Sequence, residues 1–388
     1  MAHHQLDSTT GLLNRLIGFP TISTDSNIDL IQFAADRLDA LGAEVHVSLD
    51  GTGNKANMFA TLGPKVDGGI VLSGHSDVVP VENQDWTSDP FVMQERDGKL
   101  YGRGTCDMKG FIAAVLCMAP RYAALNLRRP LHIALTYDEE TGCLGAQALV
   151  KELEREGIRP AVAIIGEPTS MRMIEGHKGC YEYVTEFSGL EGHGSAPDRG
   201  VNAVGYAVRY AARLMELADE LKTRAPAASR YDPPWTTVNL GQIAGGEARN
   251  VIAGHSRLEW EMRPVQSSDA NLVRDTIDGY ARDVLVPEMR SVHPAAGICR
   301  HTIAEVAGLE PVDDNEALRI VSKLTGANAV DVVPFGTEAG LFQALGMSCV
   351  VCGPGSIDQA HKPDEFISRE QLSACLQMLA GLEQQLAA

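Results

Sequence analysis

Residues 129–142 read RPLHIALTYDEETG, an apolar run that leads into two adjacent glutamates, Glu139 and Glu140. The apolar part has the length and composition of a buried β-strand. Side chains alternate between the two faces of a strand, so the glutamates would point in opposite directions if the strand continued through them. Two carboxylates at the end of a buried strand are costly to desolvate unless they have partners. This stretch therefore predicts a buried strand followed by two carboxylates that each need a specific partner.

Strand and helix patterns alternate along the chain around this stretch. Short apolar runs predict strands, and longer segments with helical periodicity predict helices. The segment at 108–125 is apolar on nearly every face, so we expect a buried helix there. This alternation predicts an α/β domain with a mainly parallel central sheet. The other segments are the helices NIDLIQFAADRLDALG (27–42) and LGAQALVKELEREG (144–157), and the strands AEVHVSLD (43–50), ANMFATLG (56–63), GGIVLSGH (68–75) and AVAIIGEP (161–168).

The order of the elements changes after residue 178. Strand, helix, strand, strand and helix patterns form a β-α-β-β-α block, whose strands alternate apolar with polar residues as in a sheet covered on one face. We assign this block to an inserted α+β domain at 178–292, so that residues 1–177 and 293–388 form the first domain. The segments are CYEYVTEFSGL (180–190), VNAVGYAVRYAARLMELADEL (201–221), WTTVNLGQIAGG (235–246), HSRLEWEMRP (255–264) and DANLVRDTIDGYARDVLV (269–286).

Composition and charge limit the classes of function. The chain has 388 residues, enough for two domains, and its 44% hydrophobic and 22% charged residues are typical of a soluble globular protein. The formal net charge of −18 argues against nucleic acid and an anionic membrane as main partners, because both favour a basic patch. The sequence has no recognisable signal segment and no apolar run long enough to span a bilayer. We therefore expect a cytoplasmic protein.

The eight cysteines are scattered through the chain. Cys349 and Cys352 have the C-x-x-C spacing, but their apolar surroundings predict a buried strand, which favours buried thiols over a redox or metal pair. We expect reduced, buried cysteines. A serine or cysteine hydrolase is disfavoured, because the sequence has no GxSxG turn and no cysteine in a nucleophile context.

Histidine and carboxylate side chains recur just after predicted strands or in tight loops, where open α/β sheets place their sites. One such residue is more often structural, and Asp107 alone would be interpreted as a helix N-cap. Five segments with the same placement favour a common site. Imidazoles and carboxylates without a thiolate suit paired Zn²⁺, Co²⁺ or Mn²⁺. The candidates are His75 and Asp77 in VLSGHSDVVPV, Asp107 in GRGTCDMKG, Glu139 and Glu140 in YDEETG, Glu167 in IIGEPT and His361 in QAHKPDEF.

In this order, these segments resemble the M20 family of metallopeptidases and deacylases over essentially the whole chain. The motifs that carry the resemblance are SGHSDVVPV, LYGRGTCDMKG, TYDEETGCLGA and GEPT. The resemblance implies a zinc-exopeptidase-like catalytic domain, an inserted dimerisation domain and a homodimer. It also implies hydrolysis of an amide bond with two divalent metal ions, Zn²⁺ first and Co²⁺ as a substitute.

The resemblance assigns a role to each candidate ligand. His75 and Glu167 would hold one metal, and Glu140 and His361 the other. Asp107 would bridge the two ions. Metal ions paired in this way polarise a scissile carbonyl.

The resemblance also assigns the residues that act on water and on the reacting carbonyl. Glu139 would be the general base that acts on water, while Glu140 binds metal. The strand would therefore end before the two glutamates. Asp77 would orient His75 and fix its tautomer. His193, in GLEGHGSAPDRGVNA, would reach the active site of the partner subunit. The alternative for His193 is a loop histidine that caps the helix beginning near Val201.

Four further residues are assigned to substrate. By resemblance, Asn250 in GGEARNVIAG and Arg263 in EWEMRP help to hold the substrate's carboxylate, which an arginine can bind in a bidentate way. Arg263 could equally form a surface ion pair. Gly353 and Ser356 in GPGS are assigned backbone contacts to substrate. The GRG triplet at 102–104 is not a phosphate loop, because it lacks the lysine and the spacing that such loops need.

The sequences of four segments indicate the substrate class. DEETGCLGA, EGHKG, GTEAG and CGPGSIDQAHKPDEFI resemble most closely the family members that remove the acetyl group from N2-acetyl-L-ornithine in arginine biosynthesis. Removal of a succinyl group from N-succinyl-diaminopimelate, deacylation of another N-acyl amino acid, and carboxypeptidase activity remain alternatives, because the metal ligands do not select the acyl group. A catalytically inert binding relative would have lost a ligand or the base, and every expected position is filled.

Overall fold

In the computed structural model, which describes residues 2–387, helices and strands alternate through most of the chain. The helices are α1 (Ala2–Ile17), α2 (Ile28–Asp39), α3 (Gly110–Ala123), α4 (Leu144–Glu156), α5 (Ala203–Thr223), α6 (Ser267–Tyr280), α7 (Val286–Val292), α8 (Glu316–Thr325), α9 (Ala339–Ala344) and α10 (Arg369–Ala387). The strands are β1 (Glu44–Leu49), β2 (Ala56–Leu62), β3 (Ile70–His75), β4 (Gln94–Arg96), β5 (Lys99–Tyr101), β6 (Leu131–Thr136), β7 (Val162–Pro168), β8 (Met173–His177), β9 (Cys180–Ser188), β10 (Gly192–His193), β11 (Thr237–Gly245), β12 (Val251–Ile252), β13 (His255–Arg263), β14 (Gly297–Val306), β15 (Val330–Val333), β16 (Ser348–Gly353) and β17 (Phe366–Ser368).

The first of two compact units contains the residues up to Gly176, Pro311–Val332 and the chain from Thr337 onward. Its main sheet has eight strands in the order β1-β2-β6-β3-β7-β16-β8-β15. The four adjacent strands β6, β3, β7 and β16 are parallel to one another. The neighbours on either side of this group, β2 and β8, pair with it antiparallel, and β1 pairs antiparallel with β2. This arrangement confirms the predicted α/β domain with a mainly parallel central sheet.

Burial explains why the central strands read as unbroken apolar runs. Every residue of β3, β6 and β7 is buried, as expected for parallel strands covered on both faces. Helix α3, predicted from 108–125, is buried on most of its surface and packs against α1 and α10. These helices and strands form one hydrophobic core. The core therefore holds the carboxyl ends of the parallel strands in a fixed position.

The second unit comprises His177–Glu310 and Val333–Gly336. Its antiparallel sheet has the strand order β11-β13-β9-β14, and helices α5 and α6 share a hydrophobic core with it. Burial alternates along β13, as predicted for a sheet with one covered face. The order β9-α5-β11-β13-α6 is the predicted β-α-β-β-α order.

The C-terminal limit of the second unit differs from the predicted boundary at residue 292. Strand β14 pairs with β9 along its whole length and completes the four-stranded sheet, so the unit continues to Glu310. The sequence pattern of β14 does not show this pairing, because a pairing between distant strands depends on the register of both. The dimerisation role of the unit stays a prediction.

The cysteines are all free thiols, and five of them are buried, including Cys349 and Cys352 in β16. The expectation of buried cysteines was wrong for Cys299, which is exposed on the edge strand β14, and Cys117 and Cys180 are partly exposed. Within residues 2–387, none of the helices combines the length and the apolar character that crossing a membrane requires.

Candidate functional site

The predicted ligands of the first unit come from the carboxyl ends of its parallel strands and from two loops. His75 is the last residue of β3, and Glu167 is the penultimate residue of β7. Strand β6 ends at Thr136, beside His75 in the sheet, and Glu139 and Glu140 lie in the turn that follows. The carboxyl edge of a parallel sheet gathers such side chains in one place.

Asp107 lies between the two histidines. Its Oδ1 is 3.0 Å from His75 Nε2, and its Oδ2 is 3.3 Å from His361 Nε2. Its backbone is extended, with φ −120° and ψ 93°, and Lys109 is the residue that precedes helix α3. The helix N-cap alternative for Asp107 is therefore wrong, and both of its carboxylate oxygens face an imidazole.

The other carboxylates pair with the same two imidazoles. Glu140 Oε2 lies 3.0 Å from His361 Nε2. Glu167 Oε1 lies 3.9 Å from His75 Nε2, is buried, and has no hydrogen-bond partner among the described residues. A buried carboxylate oxygen without a donor is unfavourable unless a cation or another donor reaches it.

The pKa values of these groups reflect burial and mutual contact. Burial raises the pKa of Glu139 to about 8 and that of Glu167 well above its usual range. Contacts with Asp107 and Glu140 raise the pKa of His361 to about 10. Burial opposes ionisation of Asp107, but hydrogen bonds from His361 and His75 outweigh it and lower the pKa of this carboxyl. Proteins show shifts of this size where charged groups are held together for a function.

The donor set fits divalent cations. Two groups of ligand atoms have all members within 4.8 Å of one another: His75 with Asp107 and Glu140, and His75 with Glu139 and Glu167. Imidazole nitrogens and carboxylate oxygens suit Zn²⁺, Co²⁺ and Mn²⁺. The Glu167 oxygen lacks a partner, and two imidazoles face the same aspartate. A pair of bound cations would give all of these groups a partner.

Asp77 contacts His75 in a different way from the expected one. His75 Nδ1 lies 2.9 Å from the backbone oxygen of Asp77 and 3.6 Å from its carboxylate. The carboxylate instead accepts the Ser23 hydroxyl at 2.7 Å and the backbone N–H of Glu139 at 3.1 Å. The main chain of Asp77 therefore orients the imidazole, while its side chain holds the turn that carries the paired glutamates.

Sequence reasoning missed three buried polar groups around this site. Ser23 donates to Asp77 from a distant loop, and Lys55 forms a buried ion pair with Asp138 beside the glutamate turn. Glu338, in the GTEAG segment, accepts hydrogen bonds from the hydroxyls of Ser73 and Thr136. The sequence pattern that could have indicated Glu338 is an acidic residue at the start of an apolar helical segment.

Three predicted site residues belong to the second unit. His193 is exposed in β10, and its Nδ1 lies 2.7 Å from the Ser195 hydroxyl. Asn202 caps helix α5 by accepting from Gly205 N–H, so the helix-cap alternative for His193 is wrong. The backbone oxygen of Asn250 accepts the N–H of Gly194, which brings Asn250 beside His193.

Arg263 forms an ion pair within its own sheet. Its Nε and Nη2 lie 3.0 and 2.8 Å from the same oxygen of Glu261. This contact is the surface ion pair that the sequence left open as an alternative. Its substrate role stays a prediction.

Gly353 in the GPGS turn does not have the backbone N–H free for the predicted substrate contact. The N–H of Gly353 donates to the Thr169 hydroxyl at 3.2 Å, so it is not available to a substrate. A Cβ at Gly353 would lie 2.0 Å from the backbone oxygen of Gly166, which explains the glycine by close packing of β16 on β7. Ser356 accepts the Asp358 N–H through its hydroxyl, and its substrate role stays a prediction.

A separate group of possible ligands lies on β1 and α4. His46, Glu152 and Glu156 have ligand atoms within 4.8 Å of one another. Arg155 Nη2 lies 3.7 Å from Glu152 and 3.4 Å from Glu156, and His46 Nε2 lies 2.7 Å from Glu152. The guanidinium therefore already compensates both carboxylates of this exposed group.

Comparison with known proteins places the chain in a family. The Peptidase family M20/M25/M40 matches residues 71–385. Acetylornithine deacetylase of Shigella sonnei (strain Ss046) is 39% identical over 359 residues, 91% of each chain. Acetylornithine deacetylase of Salmonella heidelberg (strain SL476) is 40% identical over 363 residues, again 91% of each chain.

A solved structure has the same fold. The Bacillus subtilis YXEP protein, described as a dinuclear metal binding peptidase from the M20 family, superposes with a TM-score of 0.64 at 15% identity and with 99% of both chains covered. At this identity the likeness concerns the fold alone. With the family match across most of the chain, the conclusion is direct: the chain belongs to peptidase family M20/M25/M40.

Proposed function

We propose that this chain is a metal-dependent amide hydrolase that removes the acetyl group from N2-acetyl-L-ornithine, giving L-ornithine and acetate in arginine biosynthesis. The observation that carries the proposal is the position of Asp107, with one carboxylate oxygen on each imidazole, beside the unpartnered Glu167 oxygen. The named function of the two relatives at about 40% identity supports the choice of substrate.

The proposed ligands divide into two sets. His75 and Glu167 would hold one divalent ion, Glu140 and His361 would hold the other, and Asp107 would serve both. Zn²⁺ fits this donor set first, and Co²⁺ substitutes for it. When bound, the ions supply Lewis acidity that polarises the amide carbonyl and acidifies water.

Glu139 is the proposed general base. Its carboxyl is partly buried near His75 and Glu167, and the loss of solvent raises its pKa to about 8, so it can exchange a proton near neutral pH. It takes a proton from the attacking water and passes it to the amine nitrogen of the leaving ornithine. Asp77 and Ser23 hold the backbone of the turn, and so keep the base and Glu140 pointing to their separate partners.

The second unit supplies the proposed contacts to the rest of the substrate. His193 and Asn250 lie side by side in exposed backbone, which suits contact with a ligand or a partner subunit. We assign His193 to the developing oxyanion in the partner subunit of a homodimer, and Asn250 and Arg263 to the substrate's carboxylate. For Arg263 this requires its pair with Glu261 to open. A small amino-acid substrate and a cytoplasmic location complete the proposal.

A kinetic panel tests this function. The purified chain, loaded with Zn²⁺ or Co²⁺, is assayed with N2-acetyl-L-ornithine, N-acetylmethionine, N-acetylcitrulline and N-succinyl-diaminopimelate. We expect the highest kcat/KM for N2-acetyl-L-ornithine. A preference for N-succinyl-diaminopimelate would overturn the substrate but keep the hydrolase mechanism. No hydrolysis of any amide by the metal-loaded chain would favour a catalytically inert binding relative.

A further inference from the structure

The GRG triplet lies in a loop that wraps around a carboxylate of the chain itself. Glu365 Oε2 accepts the backbone N–H of Gly104 at 2.9 Å, and Oε1 accepts those of Cys106 at 2.8 Å and Asp107 at 3.1 Å. The Glu365 side chain has no exposed surface. Consecutive N–H groups that converge in this way form an anion-binding concavity. The anion that this glycine-rich loop binds is therefore an internal glutamate.

Arg103 completes the enclosure of this glutamate. Its side chain is 1% exposed, and its Nη1 lies 2.8 Å from Glu365 Oε2. The guanidinium also donates to the side-chain oxygen of Gln84 at 2.6 Å and, more weakly, to the backbone oxygen of Lys362 at 3.3 Å. Gln84 in turn donates to the backbone oxygen of His361 at 2.9 Å. One buried arginine thus contacts the loop that carries His361 both directly and through Gln84.

These contacts join the two loops that carry candidate ligands. Glu365 follows His361 by four residues, and it binds the N–H of Asp107, which is far away in sequence. Asp107 must keep one oxygen on each imidazole, and His361 must keep Nε2 on the same carboxylate. A shift of either loop would break one of these contacts.

We propose that Glu365, together with Arg103, is a positioning residue that holds the Asp107 loop and the His361 loop in register for metal binding. This inference rests on the proposed function in one respect, that Asp107 and His361 bind divalent metal. Groups that orient the ligands of a metal site commonly change metal affinity by about 10–100-fold when they are removed.

A single substitution separates the charge from the volume of the side chain. Glu365→Gln keeps the size but turns one oxygen into an NH₂ group. Each oxygen of Glu365 accepts two hydrogen bonds from N–H donors of the backbone or of the guanidinium. Whichever oxygen becomes the NH₂ group, that group then faces two donors and accepts from neither. The Asp107 loop therefore loses half of its anchoring in any orientation.

The test measures metal affinity rather than activity. Metal-free full-length protein is titrated with Co²⁺ against a chelator of known affinity, and the visible absorption of bound Co²⁺ is recorded. We expect Glu365→Gln to weaken the Co²⁺ Kd by about 10–100-fold and to change the Co²⁺ spectrum. The spectrum changes because the geometry around the metal is altered.

The matched control is Asp269→Asn in the second unit. Asp269 is also fully buried, and it accepts hydrogen bonds from Thr236, Arg224 and Gln266. We expect this control to lower the Tm but to leave the Co²⁺ Kd and spectrum unchanged. Equal loss of Tm in both variants, with wild-type Kd and spectrum in Glu365→Gln, would show a structural role only and overturn the proposal.

A second variant keeps the proposal testable if Glu365→Gln does not fold. Gln84→Ala removes a partly exposed link between Arg103 and the His361 backbone without burying or removing a charge. We expect a Co²⁺ Kd weakened by about tenfold, the lower end of the range for such contacts. A wild-type Kd and spectrum in folded Gln84→Ala would count against the proposal. If the wild-type protein itself binds no Co²⁺, the proposed function fails, a result distinct from either outcome.

Discussion

Glu167→Gln should make the metal-free protein more stable while impairing its metal binding. The Glu167 carboxylate is buried, and its Oε1 has no hydrogen-bond partner among the described residues. Burial raises its pKa well above the usual range, although the imidazole of His75 at 3.9 Å acts in the opposite direction. The metal-free fold therefore carries a carboxylate that it does not compensate, and a neutral amide of the same size relieves this.

The magnitude follows from the buried negative charge, which the amide lacks. Leaving a buried polar group without a partner costs about 1–3 kcal/mol, and a charged group costs at least that much. Each kcal/mol shifts the Tm of a unit of this size by roughly 2–4 °C. We therefore expect the Tm of metal-free Glu167→Gln to rise by about 2–12 °C near pH 8.

The effect should depend on pH with a definite sign. The folded-state pKa of Glu167 lies above its unfolded value, so its contribution to stability is fully present below about pH 4.3 and is lost as the pH rises through the folded-state pKa. The gain from Glu167→Gln should therefore be small near pH 5 and largest at alkaline pH. The metal-induced stabilisation, about 2.7 kcal/mol for wild type with free metal at a hundred times its Kd, should fall in the variant.

The assay is thermal unfolding of metal-free and Zn²⁺-loaded protein across this pH range. Glu338→Gln is the matched control, because Glu338 is equally buried but accepts hydroxyl donors from Ser73 and Thr136. We expect this control to have a lower Tm than wild type in the metal-free state and to keep the rise in Tm that metal induces. A metal-free Glu167→Gln that is less stable than wild type at pH 8, with an undiminished response to Zn²⁺, would show that Glu167 is neither an uncompensated buried charge nor a metal ligand.

Three further predictions concern the base, the partner subunit and the loop that holds Asp77. Glu139→Gln should keep near wild-type metal content while kcat falls by about 10²–10⁴-fold, whereas Glu140→Gln should lose metal; equal metal loss in both would mean that their roles are wrongly divided. Inactive His193→Ala mixed with inactive Glu139→Ala should regain activity on subunit exchange, since one site of each mixed dimer holds both native residues; no recovery after verified exchange would remove the role in the partner subunit. Ser23→Ala should lower kcat by about tenfold with metal content unchanged. Thr24→Ala, which changes the exposed neighbouring residue, should leave kcat at the wild-type value, and equal effects of the two substitutions would argue against a link through Asp77.

The parts of the fold that follow from local pattern were predicted well. Strands β3, β6 and β7 are buried along their whole length, so their apolar runs are visible without knowledge of their neighbours. The carboxyl ends of parallel strands meet at one edge, which places His75, Glu139, Glu140 and Glu167 together as soon as the strands are known. Position in the sheet thus made the strand-borne candidates predictable.

The parts that depend on contacts between distant segments were not predicted. The pairing of β14 with β9 extends the second unit beyond residue 292, and nothing in the β14 sequence alone specifies its partner. Glu365 looks like one more acidic residue after His361, although it binds four donors from the loop around Arg103. Ser23 and Glu338 are buried polar residues whose partners become clear only when the chain is folded.

A metal titration of the metal-free protein, with acetate release from N2-acetyl-L-ornithine measured at each step, tests the proposed function most directly. We expect two tightly bound equivalents of Zn²⁺ or Co²⁺ per chain and activity that appears as metal is bound. Asp107→Asn should lose both the metal and the activity, because the Asp107 carboxylate faces both imidazoles. Full activity in metal-free protein, or undiminished metal binding and activity in Asp107→Asn, would contradict the proposed function.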